Sequence, residues 1–199
     1  MSVQEQSAPE VKHQILDAAQ ARFGRYGFGK TTMAEIAGDC GMSAGNLYRY
    51  YKNKSEIGAA CAERCMRESE RLAREVVEQP GLSAKERLSA FVLTKMNYMH
   101  QQFCEHEPLF ELVQHISEAR ADLVQRHWET LQSLTAEILV EGKRTGEFEV
   151  EDILSTARTV LLAVYKFISP HHMASEPLAL MEEEARQVLA LVVRAIERR

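Results

Sequence analysis

Residues 43–54, with the sequence SAGNLYRYYKNK, concentrate side chains that can hydrogen-bond and carry positive charge. Tyrosine hydroxyls and the cationic heads of Arg and Lys suit contacts with phosphate oxygens, which fix the register of a protein on a duplex. An Asn amide can hydrogen-bond to a base edge or a phosphate, and small side chains allow close approach to the floor of a major groove. We therefore expect double-stranded DNA as the partner, bound by Ala44, Gly45, Asn46, Tyr48, Arg49, Tyr50, Lys52 and Lys54.

The segment around these residues has the pattern of a helix-turn-helix. Ala37 is small enough for two helices to cross closely, and Gly41, four residues later, suits the left-handed conformation of a tight turn. Ser43 then caps the second helix and leaves its first amides available to a phosphate or a base edge. The alternative is a helical hairpin with a solvated polar face, which the cluster of Tyr, Arg and Lys makes the weaker interpretation.

The charge of the chain is divided unevenly. The 199 residues carry a formal net charge of -5. Residues 1–54 contain seven Lys and Arg against five Asp and Glu, a net charge of +2, so that residues 55–199 carry -7. We call residues 1–54 the head and residues 55–199 the body. A basic head on an acidic body indicates an anionic partner for the head.

Hydrophobic periodicity is helical almost throughout, and no segment has the alternation of a strand. Capping boxes at Ser7, Thr32 and Ser83, with a further cap at Asn53, mark helix starts. We expect an all-α chain of about nine helices: 7–24 or 7–27, 32–41, 43–50, 53–77, 83–102, 104–116, 118–144, 152–168 and 175–199.

Several protein classes are excluded by composition. No apolar run approaches the roughly 18 residues of a membrane span, and the first ten residues do not have the basic and apolar regions of a secretory signal. The four cysteines form no CxxC pair and suit reduced thiols. We expect a cytoplasmic protein without a membrane partner.

Residues 12–58 closely resemble the N-terminal domain of the TetR family of transcriptional regulators. The features that match the family are Ala19, Phe23, Gly27, Thr31, Thr32, Ile36, Ala37, Gly41, Ser43, Gly45, Leu47, Tyr48, Tyr51, Lys54 and Glu56. Beyond residue 58 only the number and spacing of helices match. Tyr50 stands where the family often has His, and Arg49 where it is often aromatic.

The resemblance implies a homodimer that binds a roughly palindromic operator through one helix-turn-helix per subunit. It implies an N-terminal three-helix DNA-binding domain, residues 1–54, and a C-terminal effector-binding and dimerisation domain, residues 55–199. The residues that match DNA-proximal positions of the family are Thr32, Ser43, Ala44, Gly45, Asn46, Tyr48, Arg49, Tyr50 and Lys54. It also implies a repressor that a small apolar or amphipathic effector releases from DNA.

The last two predicted helices carry wide apolar stripes, more than one packed face needs, so a four-helix bundle across a two-fold axis is expected. The alternative is that both stripes belong to the core of one subunit. Helices 83–168 are then expected to enclose the effector, because Met and aromatic side chains suit an adaptable apolar pocket. The candidate lining residues are Met96, Met99, His100, Phe103, Phe110, Trp128, Leu131 and Tyr165.

Two more specific hypotheses, a metal site and a redox switch, are weaker alternatives. His100 and Cys104 are four residues apart and share a helical face, a spacing that suits metal ligation. Cys61 and Cys65 share a face of the helix that joins head to body, where oxidation could act as a switch. Scattered His and helical Cys more often have no such role. No metal or cofactor is expected.

Enzyme motifs are missing from the sequence. There is no GxSxG, P-loop or HExxH, and the glycines at 24, 27 and 29 do not form a dinucleotide fingerprint. No carboxylate pair suggests acid–base chemistry. A regulator is therefore favoured over an enzyme, with a helical small-molecule-binding protein that does not bind DNA as the remaining alternative.

Overall fold

A computed structural model of the chain describes residues 7–104, 106–173 and 176–198. Within these ranges it contains ten α-helices and one short 3-10 helix at Pro170–His172. The helices are α1 (Ala8–Tyr26), α2 (Met33–Asp39), α3 (Ala44–Leu47), α4 (Lys54–Glu78), α5 (Ala84–Phe103), α6 (Leu109–Ala119), α7 (Ala121–Thr145), α8 (Ile153–Ala163), α9 (Tyr165–Ile168) and α10 (Leu178–Ile196). The all-α prediction is confirmed.

The predicted bounds were wrong in three places. The helix expected over 152–168 is interrupted at Val164, which gives ten helices instead of nine. The sixth helix begins at Leu109 rather than 104 and continues to Ala119. The third ends at Leu47, because the next amides turn back to nearer carbonyls. Ser175, the expected start of the last helix, lies outside the described residues.

Side-chain caps begin the helices as the sequence predicts. The hydroxyl of Thr32 accepts a hydrogen bond from the amide of Glu35, and the Glu35 carboxylate accepts one from the amide of Thr32. Ser83 and Glu86 form the same reciprocal pair at α5, and Asn53 Oδ1 accepts from Glu56 N at 2.9 Å. These caps satisfy amides that have no partner within the helix.

The chain divides into two compact units. The first comprises residues 1–65 and 106–121, and the second comprises 66–105 and 122–199. The predicted domains divided the chain once, after residue 54, whereas the first unit also includes α6. Helix α4 begins in the first unit and ends in the second.

The core of the first unit joins α1 to the helices that follow it. Its fully buried side chains are Ile15, Ala19, Phe23, Ile36, Leu47 and Ile57. Ile15, Ala19 and Phe23 lie one turn apart along α1, so one face of that helix is buried. Helix α2 packs on α1, and α3 packs on α2.

The second unit packs α5 against α9 and α10, and α8 against α10. Its fully buried side chains include Leu88, Phe91, Val92, Met96, Leu131, Ile138, Val164, Met181 and Ala185. An isolated antiparallel bridge pairs Phe148 with Glu197 at the end of α10. Among the residues that the structure describes, no helix combines the length and the apolar character of a membrane span.

Candidate nucleic-acid interface

Helices α2 and α3 pack on each other through a four-residue connection. Gly41 has a φ of +65° there, a left-handed conformation that side chains disfavour, and the amide of Met42 returns to the carbonyl of Ala37 at 2.9 Å. Ser43 caps α3 by accepting from the amide of Asn46 at 3.2 Å. Leu47 is fully buried, so the opposite side of α3 is left for a partner.

The predicted DNA-contacting side chains lie mostly on the accessible side of this segment. Tyr48 is 52% exposed, and Arg49 and Lys52 are also exposed. Asn46 and Tyr50 are half-buried. Tyr48, Arg49 and Tyr50 lie in hydrogen-bonded turns beyond α3 and not on a continued helix, because the carbonyl of Leu47 accepts from the amides of both Tyr50 and Tyr51.

Lys54 has structural partners within its own unit. Its Nζ donates hydrogen bonds to the carbonyls of Phe28 at 2.6 Å, Gly29 at 3.2 Å and Thr31 at 2.7 Å. The ammonium also lies 4.6 Å from the centre of the Phe28 ring. Lys54 therefore holds the α1–α2 loop against the start of α4, next to the Thr32 cap.

A charged clamp holds α2 on α1. Arg22 donates to the two carboxylate oxygens of Asp39 at 2.6 and 2.8 Å, and its other nitrogen lies 3.2 Å from Glu35. The hydrogen bond from Arg22 holds the pKa of Asp39 below its ordinary value. A bidentate pair fixes orientation as well as distance, so it keeps α2 in one position on α1.

Helix α6 contacts the head at two points that the sequence analysis missed. The Glu111 carboxylate accepts a hydrogen bond from the amide of Gly29 at 2.8 Å. His115 stacks on Phe28 with ring centres 4.5 Å apart, and its Nε2 lies 3.0 Å from the hydroxyl of Ser55. Because these partners are at least 60 residues apart along the chain, local periodicity contains no signal of them.

The eight candidate effector-lining residues are divided between the units. Phe110 is on α6 in the first unit, and the other seven are in the second. Met96, Met99, Phe103 and Leu131 are buried, and His100 is half-buried. The structure brings Trp128 and Tyr165 together as a stacked pair with ring centres 5.6 Å apart. Tyr165 is 39% exposed.

The cysteine and histidine alternatives gain no support. Among the described residues, no group of three or more His, Cys, Asp or Glu is arranged to hold a metal ion, His100 and Cys104 included. Cys61 is buried, and burial raises the pKa of its thiol to about 12. The reactive thiolate is therefore disfavoured at Cys61. Cys65 is partly accessible on the same helix.

A polar cluster in the second unit, buried at Ser69 and Lys95 and half-buried at Glu70 and His127, was also missed. It consists of Ser69, Glu70, Lys95 and His127, on α4, α5 and α7. The sequence does contain a signal, because Lys95 lies four residues after Phe91 and three after Val92, on the apolar stripe of α5. A charged residue on such a stripe indicates a buried partner.

Two family models match the chain. The model described as bacterial regulatory proteins, tetR family, matches residues 15–61, and the model described as tetracyclin repressor-like, C-terminal domain, matches residues 84–189. The second model alone covers more than half of the chain.

Known proteins agree with the family models. The chain is 33% identical over 69 residues to the HTH-type transcriptional regulator TtgR of Pseudomonas putida, a match that covers 35% of this chain and 33% of TtgR. The chain thus matches about a third of the length of its curated relatives.

Solved structures match nearly the whole chain. A transcriptional regulator of the TetR/AcrR family from Thermobifida fusca has a TM-score of 0.71 at 20% identity, covering 95% of this chain and all of the other. A complex of SmeT with triclosan has a TM-score of 0.64 at 20% identity, covering 95% and 92% of the two chains. At this identity the likeness shows the fold alone.

Proposed function

The chain belongs to the TetR family of bacterial regulatory proteins, and on that premise we propose that it is a transcriptional regulator that binds operator DNA. The observation that carries the proposal is the exposed cluster of Tyr48, Arg49 and Lys52 beside the Ser43-capped α3. The buried Leu47 and the Arg22–Asp39 clamp support a fixed presentation of this cluster.

The proposed interface separates two kinds of contact. Arg49, Lys52 and the tyrosine hydroxyls bind phosphates, which position the protein on the duplex. Asn46, with the small Ala44 and Gly45 beside it, approaches the base edges. Thr32 and Ser43 lie at the caps of α2 and α3 and complete the interface. Lys54, with its three carbonyl partners, holds the α1–α2 loop that precedes Thr32.

We propose further that the regulator is a repressor released from a palindromic operator by a small apolar or amphipathic molecule. The apolar core of the second unit supports this, with Met96, Met99 and Leu131 in its interior and the Trp128–Tyr165 stack in the same unit. SmeT, one of the structural neighbours, is in complex with triclosan. For release, the effector must bind the state that cannot bind DNA more tightly than the state that can.

The proposed dimer forms through α8 and α10. Each helix buries one stripe within its own unit, Ala157, Val160 and Leu161 on α8 and Met181, Ala185 and Leu189 on α10. Other apolar side chains of the same helices are exposed: Leu154 and Leu162 on α8, Leu180 and Leu191 on α10. Large exposed apolar side chains clustered on paired helices suit a self-complementary two-fold interface.

The test is selection of bound DNA from fragments of a bacterial genome with the purified full chain, followed by affinity measurements across a salt series. We expect a palindromic site that is retained at physiological salt. Asn46→Ala should relax the sequence preference at one base position and cost about 1–3 kcal/mol of binding free energy. Lys52→Ala should weaken binding to all sequences alike and lower the slope of log K against log salt by about 1.

Two results would contradict the proposal. Binding that is weak, sequence-independent and lost at physiological salt would make the head a non-specific surface. Absence of any binding would favour a helical small-molecule-binding protein. A Lys85→Ala variant is the control, because this residue pairs with Glu197 in the second unit and should leave DNA affinity unchanged.

A further inference from the structure

A hydrogen-bonded chain of polar side chains crosses the interior of the second unit. Lys95 is 2% exposed, and its Nζ donates to the hydroxyl of Ser69 at 2.9 Å and lies 3.0 Å from Nε2 of His127. Nδ1 of His127 lies 2.5 Å from Oε1 of Glu70. These hydrogen bonds join α4, α5 and α7.

The protonation state of His127 follows from its partners. With Lys95 charged, its ammonium has only donors, so Nε2 of His127 accepts from Lys95 and carries no proton. The ring proton is then on Nδ1 and is donated to the Glu70 carboxylate. The network therefore assigns His127 as the neutral imidazole with its proton on Nδ1.

Addition of a second proton to His127 is incompatible with this arrangement. It would place an N–H on Nε2, facing an ammonium 3.0 Å away, so that two donors and two positive charges meet in the interior. Among the described residues, the charged groups that face His127 are Glu70 from α4 and Lys95 from α5. Glu70 favours the protonated ring, but its side chain is 24% exposed, which weakens that attraction.

We propose that His127 is a proton-sensing residue: its protonation breaks the hydrogen bond with Lys95 and loosens α4 against α5 and α7. Ser69 and Glu70 lie on α4, the helix whose first residues, Lys54 and Ser55, belong to the first unit. If the chain binds operator DNA as proposed, acidification lowers that affinity through α4. The effect on the stability of the second unit does not depend on the proposed function.

The direction of the pH dependence agrees with the geometry. Burial, the largest cause, lowers the pKa of His127 below its ordinary value of 6.5; Lys95 acts in the same direction, and the Glu70 hydrogen bond opposes them. Because the folded pKa lies below the unfolded pKa, the unfolded chain binds more protons between the two. The stabilisation that neutral His127 gives to the fold is complete above the unfolded-state pKa of about 6.5. It is lost as the pH falls below that value.

The test compares wild type with His127→Gln, whose amide has an acceptor for Lys95, a donor for Glu70 and no titratable nitrogen. Thermal unfolding is followed from about pH 7.5 to about pH 5.5, the range in which histidine titrates. We expect the wild type to lose more stability over this range than the variant. The matched control is His171→Gln, an exposed histidine of the same unit, which should retain the wild-type dependence. Equal pH dependence in wild type and H127Q would overturn the proposal.

A measurement on the wild type keeps the proposal testable if the variant does not fold. Long-range ¹H–¹⁵N NMR spectra of histidine rings distinguish the two neutral tautomers and the protonated form. We expect a neutral His127 with its proton on Nδ1 at neutral pH, and a change to the doubly protonated ring with acidification. A ring protonated on Nε2 at neutral pH would overturn the assignment.

DNA binding provides a separate readout. Operator affinity should fall between about pH 7.5 and 5.5 in the wild type and fall less in H127Q. If neither protein binds DNA at any pH, the proposed function fails while the stability and NMR results still decide the role of His127. If both bind with the same pH dependence, proton sensing does not reach the head, and that part of the proposal is overturned.

Discussion

Lys54 donates a 2.7 Å hydrogen bond to the carbonyl of Thr31, the residue directly before the cap of α2. This bond connects the first residue of α4 to the start of the helix-turn-helix. From the sequence alone, a lysine this close to the proposed DNA surface is expected to bind phosphate. Its three carbonyl partners instead give it a positioning role, because they determine where the α1–α2 loop lies.

Replacement of this lysine should therefore act on stability. Lys54→Met keeps the length of the side chain but removes the charge and all three donated hydrogen bonds. We expect the free energy of unfolding to fall by about 1–3 kcal/mol, since hydrogen bonds to a charged group are lost and two partly buried carbonyls lose a partner. Urea unfolding monitored by circular dichroism measures the change.

Lys52→Met is the matched control, because Lys52 is exposed and its replacement should leave stability within about 0.5 kcal/mol. The salt dependence of DNA binding distinguishes the two lysines further. A phosphate contact lowers the slope of log K against log salt by about 1 when it is removed. The slope should change in Lys52→Met only; the same change in Lys54→Met would argue against a positioning role.

The exposed leucines of the last helices should determine the oligomeric state. Leu162 is 64% exposed on α8 and Leu191 is 59% exposed on α10. A Leu162→Asp, Leu191→Asp double variant places four carboxylates in the proposed two-fold interface, and we expect a monomer by light scattering after gel filtration. Val140→Asp alters an apolar side chain of α7 that is 53% exposed, and this variant should remain dimeric. A dimer that survives the double substitution would place the interface elsewhere.

The rate at which each cysteine reacts should fall as its burial increases. Cys104 is exposed, whereas Cys61 is buried with a thiol pKa raised to about 12. In the native protein at mildly alkaline pH, Ellman's reagent should therefore modify Cys104 quickly and Cys61 only after unfolding. Cys104→Ala should remove the fast phase, and Cys61→Ala should leave it intact. A fast phase that disappears in Cys61→Ala would instead support an oxidation switch at Cys61.

A close contact between α7 and the turn that follows it should make one glycine irreplaceable. A Cβ atom at Gly142 would lie 2.1 Å from Cδ2 of Phe148, a ring that is 2% exposed. Gly142→Ala should destabilise the fold by about 1–3 kcal/mol through overpacking, as chemical unfolding would show. Gly38→Ala is the control, because nothing lies within 4 Å of its Cβ position and alanine favours a helix by about 0.5–1 kcal/mol. Equal effects at the two sites would contradict the packing argument.

The parts of the fold that the sequence predicted are those with local causes. The caps at Thr32, Asn53 and Ser83 form because a side chain and an amide three residues away can meet without any other part of the chain. The turn at Gly41 likewise needs one residue with a positive φ. Such features depend on short-range geometry, which a sequence contains directly.

The parts that could not be predicted depend on partners far away in the chain. Nothing near Lys54 indicates that its ammonium will find carbonyls at 28, 29 and 31. The unexpected position of Lys95 on an apolar stripe was visible, but its connection to Glu70 through His127 was not. The proposed DNA contacts and effector-lining residues stay predictions, because each needs a partner molecule for its test.

The attachment of α6 to the first 65 residues affects how the protein is made. Synthesis proceeds from the N-terminus at about 5–20 residues per second, so residue 121 is added roughly 3 to 11 seconds after residue 65. During that interval the emerging head lacks the Glu111 bond to Gly29 and the His115 ring against Phe28. The head therefore reaches its final form on the ribosome only after part of the other unit has been translated.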